Sequence, residues 1–159
     1  MKHSATATVT TTAPVPRQRL FDQFVPIALP DILTGWGPVP AVTQTTDQTG
    51  PWDQPGSTRT VHLADGTTAR ERVTDCTTPS YFAYVVADFT NPIRHLARQA
   101  VGQWWFDQDA DDPNTTHIRW TYTYEARSAA AALALRPIVA VAWTRFMRVG
   151  LDRLVAQTR

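Results

Sequence analysis

The stretch THIRWTYTYE, residues 116–125, decides the fold of this 159-residue chain. Its apolar and aromatic residues alternate with polar ones, a pattern typical of a β-strand that has one buried and one exposed face. The inward set is Ile118, Trp120, Tyr122 and Tyr124. A row of large aromatic side chains needs an equally large apolar partner, and the C-terminal segment supplies one.

That segment is predicted to be a long amphipathic helix over about 136–157. Proline is tolerated in the first turn of a helix, so Pro137 places the start near residue 136, while Ser128 could cap a separate Ala-rich segment. At helical spacing one face of this helix is apolar. The apolar face carries Val139, Trp143, Phe146, Met147, Gly150 and Leu154.

The rest of the chain consists of predicted strands and turns, apart from two short helices. A first strand is expected over 4–12, and Pro26 and Pro30 divide the next apolar stretch into the two helices. Further strands are expected over 42–48, 57–64, 67–76, 81–88, 101–107 and 116–125. The sequence therefore predicts one α+β domain over 1–159: a curved antiparallel β-sheet of about seven strands, two short helices after strand 1 and a long C-terminal helix.

Composition excludes several classes of function. Fifteen basic residues nearly balance fourteen acidic ones and are scattered, which argues against nucleic acid as a partner. Cys76 is the single cysteine, so no intramolecular disulfide can form. The N-terminus lacks a signal peptide's apolar core, and the apolar stretch 129–143 is interrupted by Arg136. We expect a soluble, cytoplasmic protein without an integral membrane segment, as a monomer or homodimer.

The pair Asp65-Gly66 predicts a two-residue hairpin turn between strands 57–64 and 67–76. With that turn Thr60 lies opposite Glu71. The other face carries Arg59, Arg70 and Arg72 and is therefore predicted to be exposed to solvent. The predicted inward set is Thr58, Thr60, His62, Ala69, Glu71 and Val73. In the two following strands the predicted inward sets are Phe82, Tyr84 and Val86, and Gly102, Trp104 and Phe106, with Gly102 leaving room for a neighbour.

Four stretches together resemble a known superfamily. They are RERVTDCTTPSYFAYVV (70–86), AVGQWWFD (100–107), THIRWTYTYEA (116–126) and the closing helix with Trp143, Met147 and Leu151. The pattern is similar to the SRPBCC or START-like (helix-grip) superfamily, near the bacterial polyketide cyclase/dehydrase and lipid-transport group. This resemblance implies a helix-grip fold with a cavity for a small hydrophobic molecule between sheet and helix. The branch of this superfamily that carries a Rieske-type iron–sulfur cluster is excluded, because one cysteine cannot supply the cluster's ligands.

His62 and Glu71 are the candidate catalytic residues, because a histidine and a carboxylate within reach of each other can act as acid and base. The candidate ligand-binding residues are Thr60, His62, Glu71, Phe82, Tyr84, Trp104, Phe106, Trp120, Tyr122, Tyr124, Trp143, Met147 and Gly150. The histidines show no metal-ligand spacing, so we expect neither a metal nor a cofactor.

Three functions stay open at this point. The first is binding or transport of a small hydrophobic or aromatic, lipid- or polyketide-like ligand. The second is an enzyme of the polyketide cyclase or dehydratase type that uses the same cavity. The third is a non-catalytic interaction protein whose cavity is filled by its own aromatic side chains.

Overall fold

Seven antiparallel strands form one sheet, and the C-terminal helix lies across its inner face, in a computed structural model that describes residues 3–159. The strands are β1 (His3–Ala13), β2 (Val42–Thr46), β3 (Thr58–Leu63), β4 (Thr68–Thr77), β5 (Tyr81–Ala87), β6 (Ala97–Gln108) and β7 (Thr116–Ala126). The helices are α1 (Arg17–Phe24), α2 (Leu29–Ile32) and the C-terminal helix (Ala129–Ala156), and a 3-10 turn (Pro92–His95) precedes β6. The predicted α+β, helix-grip class is confirmed.

The strand order is β1-β7-β6-β5-β4-β3-β2, so β2 to β7 form a meander and β1 joins it beside β7. The inner face of β1 carries small residues, among them Ala5 and Ala7, and the helix packs there and on β7. Small side chains let the helix approach β1 closely. The helix therefore lies towards the β1 side of the sheet, and space is left between it and strands β3 to β5.

The inner face of the sheet follows the predicted alternation in β5, β6 and β7. Buried inward residues are Phe82, Tyr84, Val86, Gly102, Trp104, Phe106, Ile118, Trp120, Tyr122 and Tyr124. One end of this face is closed by α1: the Phe24 ring lies 4.7 Å from Trp104 and 5.1 Å from Phe106, between ring centroids. Aromatic packing thus fills most of that end of the interior, and the larger hollow lies at the other end.

The β3–β4 hairpin has a longer loop than predicted. Three residues, Ala64 to Gly66, separate Leu63 from Thr67, whose carbonyl accepts the Leu63 N–H at 2.9 Å. Gly66 has φ +85°, as a left-handed residue after a type I turn requires. The sequence Ala-Asp-Gly suits this loop as well as it suits a two-residue turn, and one extra loop residue exchanges the two faces of a strand.

This shift makes the predicted inner face of β3 wrong. Arg59 lies opposite Glu71, and both Arg59 and Val61 are buried on the inner face. Thr58, Thr60 and His62 lie on the outer face instead, where Arg70 Nη1 donates to Thr60 Oγ1 at 2.7 Å and His62 Nε2 lies 2.7 Å from Thr46 Oγ1. The predicted inward set of β4, Ala69, Glu71 and Val73, is confirmed.

The C-terminal helix begins at Ala129 rather than near residue 136. Ser128 caps it, because its hydroxyl accepts the Ala131 N–H at 3.1 Å. The first turns bury Ala131, Ala132 and Leu135 against the sheet. This burial offsets the cost of about 3 kcal/mol for a proline inside a helix, so the helix runs on through Pro137.

After Pro137 the helix widens into a π-helical turn, Val139–Trp143, before it returns to α-helix over Thr144–Ala156. The Thr144 hydroxyl donates to the carbonyl of Val139, the first residue of that turn, at 2.8 Å. Proline lacks the N–H that would continue the regular ladder, which accounts for the irregularity just beyond it. The wider turn carries Trp143 to the inner face.

The C-terminal helix has 28 residues and is apolar enough to cross a membrane by length and composition alone. That is weak support for a membrane span, because its inner face is packed on the sheet over its whole length. On that inner face it is a core helix of the domain.

Gly102 and Tyr84 are neighbours in the β5–β6 register, and a Cβ atom on Gly102 would overlap the Tyr84 ring. We therefore expect Gly102→Ala to lower the free energy of unfolding by about 2 kcal/mol, measured by urea denaturation. The same change in a Tyr84→Ala background should cost far less, because the ring is gone. Equal costs in the two backgrounds would show that the ring is not the obstacle.

Candidate functional site

A cavity of about 260 Å³ lies between the C-terminal helix and strands β3, β4, β5 and β7. Its wall is mostly aliphatic and aromatic. The residues around it are Leu29, Leu33, Pro38, Val39, Pro40, Val42, Val61, Leu63, Asp65, Ala69, Glu71, Tyr84, Val86, Phe89, Asn91, Pro92, Ile93, Trp120, Tyr122, Tyr124, Ile138, Trp143 and Phe146.

The aromatic part of the wall is where β7 meets the helix. The Trp143 ring lies 4.8 Å from Tyr122, 5.5 Å from Tyr124 and 4.7 Å from Phe146, between centroids, and the Phe146 ring is tilted by 32° from it. The indole N–H of Trp143 is buried and has no hydrogen-bond partner among residues 3–159. A ligand acceptor reaching this N–H would satisfy a donor that the protein leaves unpaired.

A buried ion pair forms the polar part of the wall. Arg59 Nε donates to Glu71 Oε2 at 2.7 Å, and the two side chains are only 8% and 10% exposed. Trp52, from the loop before β3, covers the guanidinium with 3.8 Å between Arg59 Cζ and the ring centroid. Nε is the one guanidinium nitrogen of Arg59 with a hydrogen bond in the described chain. The other guanidinium N–H groups therefore remain available to donate to a ligand.

The Glu71 and Tyr84 side chains separate the cavity from a second hollow of about 40 Å³, which Arg59, Trp52 and Trp104 also line. That volume suffices for one water molecule. A carboxylate and a guanidinium are strong partners for such a water. The Arg59–Glu71 pair therefore borders the small hollow, and Glu71 also faces the apolar cavity.

Three tyrosines, Tyr84, Tyr122 and Tyr124, place their phenol groups in this cavity wall. Burial raises the pKa of each, and the Glu71 carboxylate raises the pKa of Tyr84 further. The pKa of Tyr122 is raised well above its usual range, by burial first and then by Tyr124 and Tyr84. The three phenols are therefore neutral at physiological pH; the Tyr122 hydroxyl donates to Tyr124, and the hydroxyls of Tyr84 and Tyr124 can donate to a ligand.

The cavity opens between four segments of the chain. They are the loop 34–41, the tip of the β3–β4 hairpin, the segment 89–93 and the helix at Ile138. The loop is held as a tight hairpin by reciprocal bonds between Trp36 and Val39, both 2.9 Å from N to O, and Arg145 lies over the Trp36 ring at 5.0 Å. The mouth is thus framed mainly by proline and aliphatic side chains.

The predicted ligand-binding residues separate into four groups in the structure. Those at the cavity are Glu71, Tyr84, Trp120, Tyr122, Tyr124 and Trp143, and Phe82 and Trp104 line the smaller hollow. Phe106, Met147 and Gly150 are buried in the packed core, where a Cβ on Gly150 would lie 2.8 Å from Leu33 Cδ2. Thr60 and His62 lie on the outer face, so the predicted His62–Glu71 pair does not exist.

Sequence reasoning missed Arg59 and Trp52. The available signal was charge: placing Glu71 opposite Arg59 pairs opposite charges across the strands, whereas the predicted register left Glu71 facing a threonine. No comparable signal marks Trp52, which reaches the wall from an irregular loop.

No group of three or more His, Cys, Asp or Glu side chains that could hold a metal ion occurs among residues 3–159. In the acidic turn after β6, the Asp109 carboxylate accepts the N–H groups of Asp111 and Asp112 and lies 2.7 Å from His117 Nε2. These bonds, the Asp111 N–H first, lower the pKa of Asp109. The turn is a self-contained surface loop.

A sheet closed by one long helix over an aromatic cavity defines a helix-grip domain. Residues 4–159 match the family described as polyketide cyclase / dehydrase and lipid transport, and the chain belongs to this family. Comparison with curated proteins gives no match.

Several solved structures share the fold. Ara h 8.0201 has a TM-score of 0.74 at 14% identity, covering 98% of this chain and 97% of that one. Ginseng major latex-like protein 151 from Panax ginseng has a TM-score of 0.73 at 13% identity, covering 98% of both chains. XoxI from Bacillus cereus has a TM-score of 0.67 at 16% identity, covering 97% and 95%. At such identities the likeness shows the fold alone.

Removing one member of the buried ion pair should be costly. We expect Glu71→Gln to lower the free energy of unfolding by about 3 kcal/mol, because Arg59 would remain buried without a counter-charge. The double variant Arg59→Met/Glu71→Leu should recover most of this loss, as measured by urea denaturation. Asp109→Asn, in the exposed pair with His117, is the control and should change stability little. A similar small effect for Glu71→Gln would mean that water already screens the pair.

The raised phenol pKa values predict a loss of stability in alkali. The folded pKa values exceed the unfolded value, so the neutral phenols contribute stability below pH 10 that is lost as pH rises through the folded values. Phenolate absorbance from Tyr84, Tyr122 and Tyr124 should appear together with the loss of native circular dichroism. Tyr124→Phe should shift the alkaline transition upwards. Ionisation of these three phenols in an intact fold would contradict the assignment.

Proposed function

We propose that the protein binds a small, largely apolar molecule with one polar end, lipid- or polyketide-like in character, in the cavity between the sheet and the C-terminal helix. The observation that carries the proposal is the aromatic cavity with a buried ion pair and neutral phenols in one wall. The family to which the chain belongs supports it, since its description names lipid transport. The lone thiol, Cys76, favours a reducing compartment such as the cytoplasm as the place of action.

The cavity volume limits the ligand. About 260 Å³ corresponds to the liquid volume of roughly nine waters, and fused-ring carbons pack more densely than water, so roughly nine to fifteen non-hydrogen atoms fit. Drug-sized pockets begin at about 300 Å³. This favours a two-ring aromatic or a short acyl compound, and it disfavours the third possibility, in which the protein's own aromatics fill the hollow.

The polar end of the ligand is expected at Glu71. A ligand hydroxyl can donate to the free Glu71 oxygen while its own oxygen accepts from the neutral phenol of Tyr84. An apolar body then contacts Trp120 and Trp143. Such a site discriminates by its polar contact, because a ligand without the hydroxyl would leave buried polar groups unpaired.

Naphthol and naphthalene test this arrangement, since they differ only in one hydroxyl. We expect naphthol to quench the tryptophan fluorescence of the wild type with higher affinity than naphthalene. Glu71→Gln should weaken naphthol binding about tenfold, the equivalent of one charge-assisted hydrogen bond, and leave naphthalene binding unchanged. His62→Ala, on the outer face, is the matched control and should change neither affinity.

Native mass spectrometry of the purified protein provides an independent measurement. A mass increment from a co-purified molecule that disappears on solvent extraction would agree with the proposal. Failure of naphthol and naphthalene to bind, together with the absence of any co-purified molecule, would contradict it.

A second candidate function is an enzyme of the cyclase or dehydratase type. It is favoured by one observation, that a carboxylate and neutral phenols share one water-poor cavity. There Glu71 would take a proton from the carbon beside one carbonyl while a phenol hydrogen-bonds the enolate oxygen. That carbon would bond to the carbon of a second carbonyl, whose oxygen takes up the proton and becomes a hydroxyl. In the dehydration that follows, Glu71 would take a second proton from the same carbon, and this proton would leave with the departing hydroxyl as water. A short poly-β-ketone should then be converted by the wild type, and Glu71→Gln should abolish turnover without weakening its binding.

A further inference from the structure

We infer that the protein docks on the surface of an anionic lipid bilayer through the outer face of the first half of its C-terminal helix, beside the cavity mouth. This goes beyond small-molecule binding and can hold or fail independently of it. The surface in question, called the docking face below, comprises Leu133, Pro137, Ile138 and Val141 with the arginines around them.

The docking face is apolar where a soluble helix normally shows charge. Leu133, Ile138 and Val141 are 64%, 43% and 50% exposed, and they are the large hydrophobic side chains exposed among residues 3–159. The positions 130, 133, 134, 137 and 141 follow helical spacing and hold Ala, Leu, Ala, Pro and Val, all exposed. Only 39% of the helix's most apolar window is buried, so much of its apolar character faces outward.

The charges around this face all have one sign along the helix. Between Glu125 and Asp152 the chain carries four arginines, Arg127, Arg136, Arg145 and Arg148, and no acidic residue. Arg94, His95 and Arg98 share a surface depression with Arg127, and Asp88 is the carboxylate there; Glu125 lies with Arg98 and Arg127 in the adjoining depression at the start of the helix. In the described part of the chain, none of these arginines forms an ion pair with a carboxylate.

The face also continues into the cavity mouth. Ile138 belongs to both, because it is exposed on the helix and lines the cavity. The opposite rim is formed by Pro38, Pro92 and Ile93, which are also apolar, with Asp65 as the acidic residue at the hairpin tip. A ligand passing between the cavity and a lipid phase through this mouth would meet little polar surface.

Charge and shape favour a bilayer over other occupants. A second copy packed symmetrically on the same face would bring arginines of the two copies towards one another, which costs energy. An acidic protein would satisfy the arginines, but the exposed apolar side chains form a convex helical ridge rather than a pocket for an anchor. A ridge of apolar residues flanked by arginines is what interfacial helices present to anionic lipid.

Vesicle sedimentation tests the inference with the full chain. The wild type should sediment with vesicles of phosphatidylcholine and phosphatidylglycerol in roughly a three-to-one ratio, and less as salt increases. It should not sediment with phosphatidylcholine alone. Leu133→Ser/Val141→Ser should weaken binding about tenfold or more.

Removal of charge is the second arm of the experiment. Arg127→Gln/Arg136→Gln should weaken vesicle binding about fivefold for each charge removed. Arg19→Gln/Arg72→Gln, at exposed positions on α1 and the outer face of β4, is the matched control and should bind as the wild type does. Far-ultraviolet circular dichroism and thermal unfolding establish that each variant is folded.

Three outcomes would overturn the inference. The first is no wild-type binding to anionic vesicles at low salt, which would leave an acidic protein as the alternative partner. The second is equal binding by the wild type and Leu133→Ser/Val141→Ser. The third is a wild-type dimer in sedimentation velocity that this double variant dissociates, since the face would then be a subunit interface.

Discussion

The packing of the C-terminal helix on the aromatic row of β7 is the contact on which the rest of the structure depends. Trp120, Tyr122 and Tyr124 alternate with polar residues along β7, and Trp143 and Phe146 of the helix meet them from the other side. Small residues on β1 draw the helix towards that edge of the sheet. Large aromatics on one side and a displaced helix on the other necessarily leave space above β3 to β5, and the cavity occupies that space.

The ion pair in the wall of this space needs an explanation other than stability. Taking a carboxylate and a guanidinium out of water costs several kcal/mol for each ion, and their attraction commonly does no more than compensate. An apolar pair of similar size would pack at least as well beside Trp52. The proposed ligand gives the pair a reason, because a fixed carboxylate with one oxygen still free can orient a polar group that enters an otherwise apolar cavity.

The order of elements and the inward faces of β5, β6 and β7 could be predicted because each depends on local periodicity. The face of β3 could not, since Ala64-Asp65-Gly66 is compatible with two loop lengths, and a difference of one residue moved His62 outward and Arg59 inward. The start of the C-terminal helix could not be predicted either. Pro137 is compatible with the first turn of a helix, and it is equally compatible with the interior of a helix that burial against the sheet stabilises. The mouth depends on irregular loops, for which no periodic pattern exists.

The C-terminal helix carries two apolar faces, and this sets it apart from an ordinary core helix. Its inner face is accounted for by the sheet, whereas its outer face around Leu133 has no partner within residues 3–159. If these exposed apolar side chains had no binding partner, polar residues in their place would make the protein more soluble. Since Ile138 links the outer face to the cavity mouth, a single surface can serve both the entry of an apolar ligand and the contact with the phase in which that ligand dissolves. The π-helical turn beyond Pro137 lies at this junction, where a regular helix would place Trp143 differently.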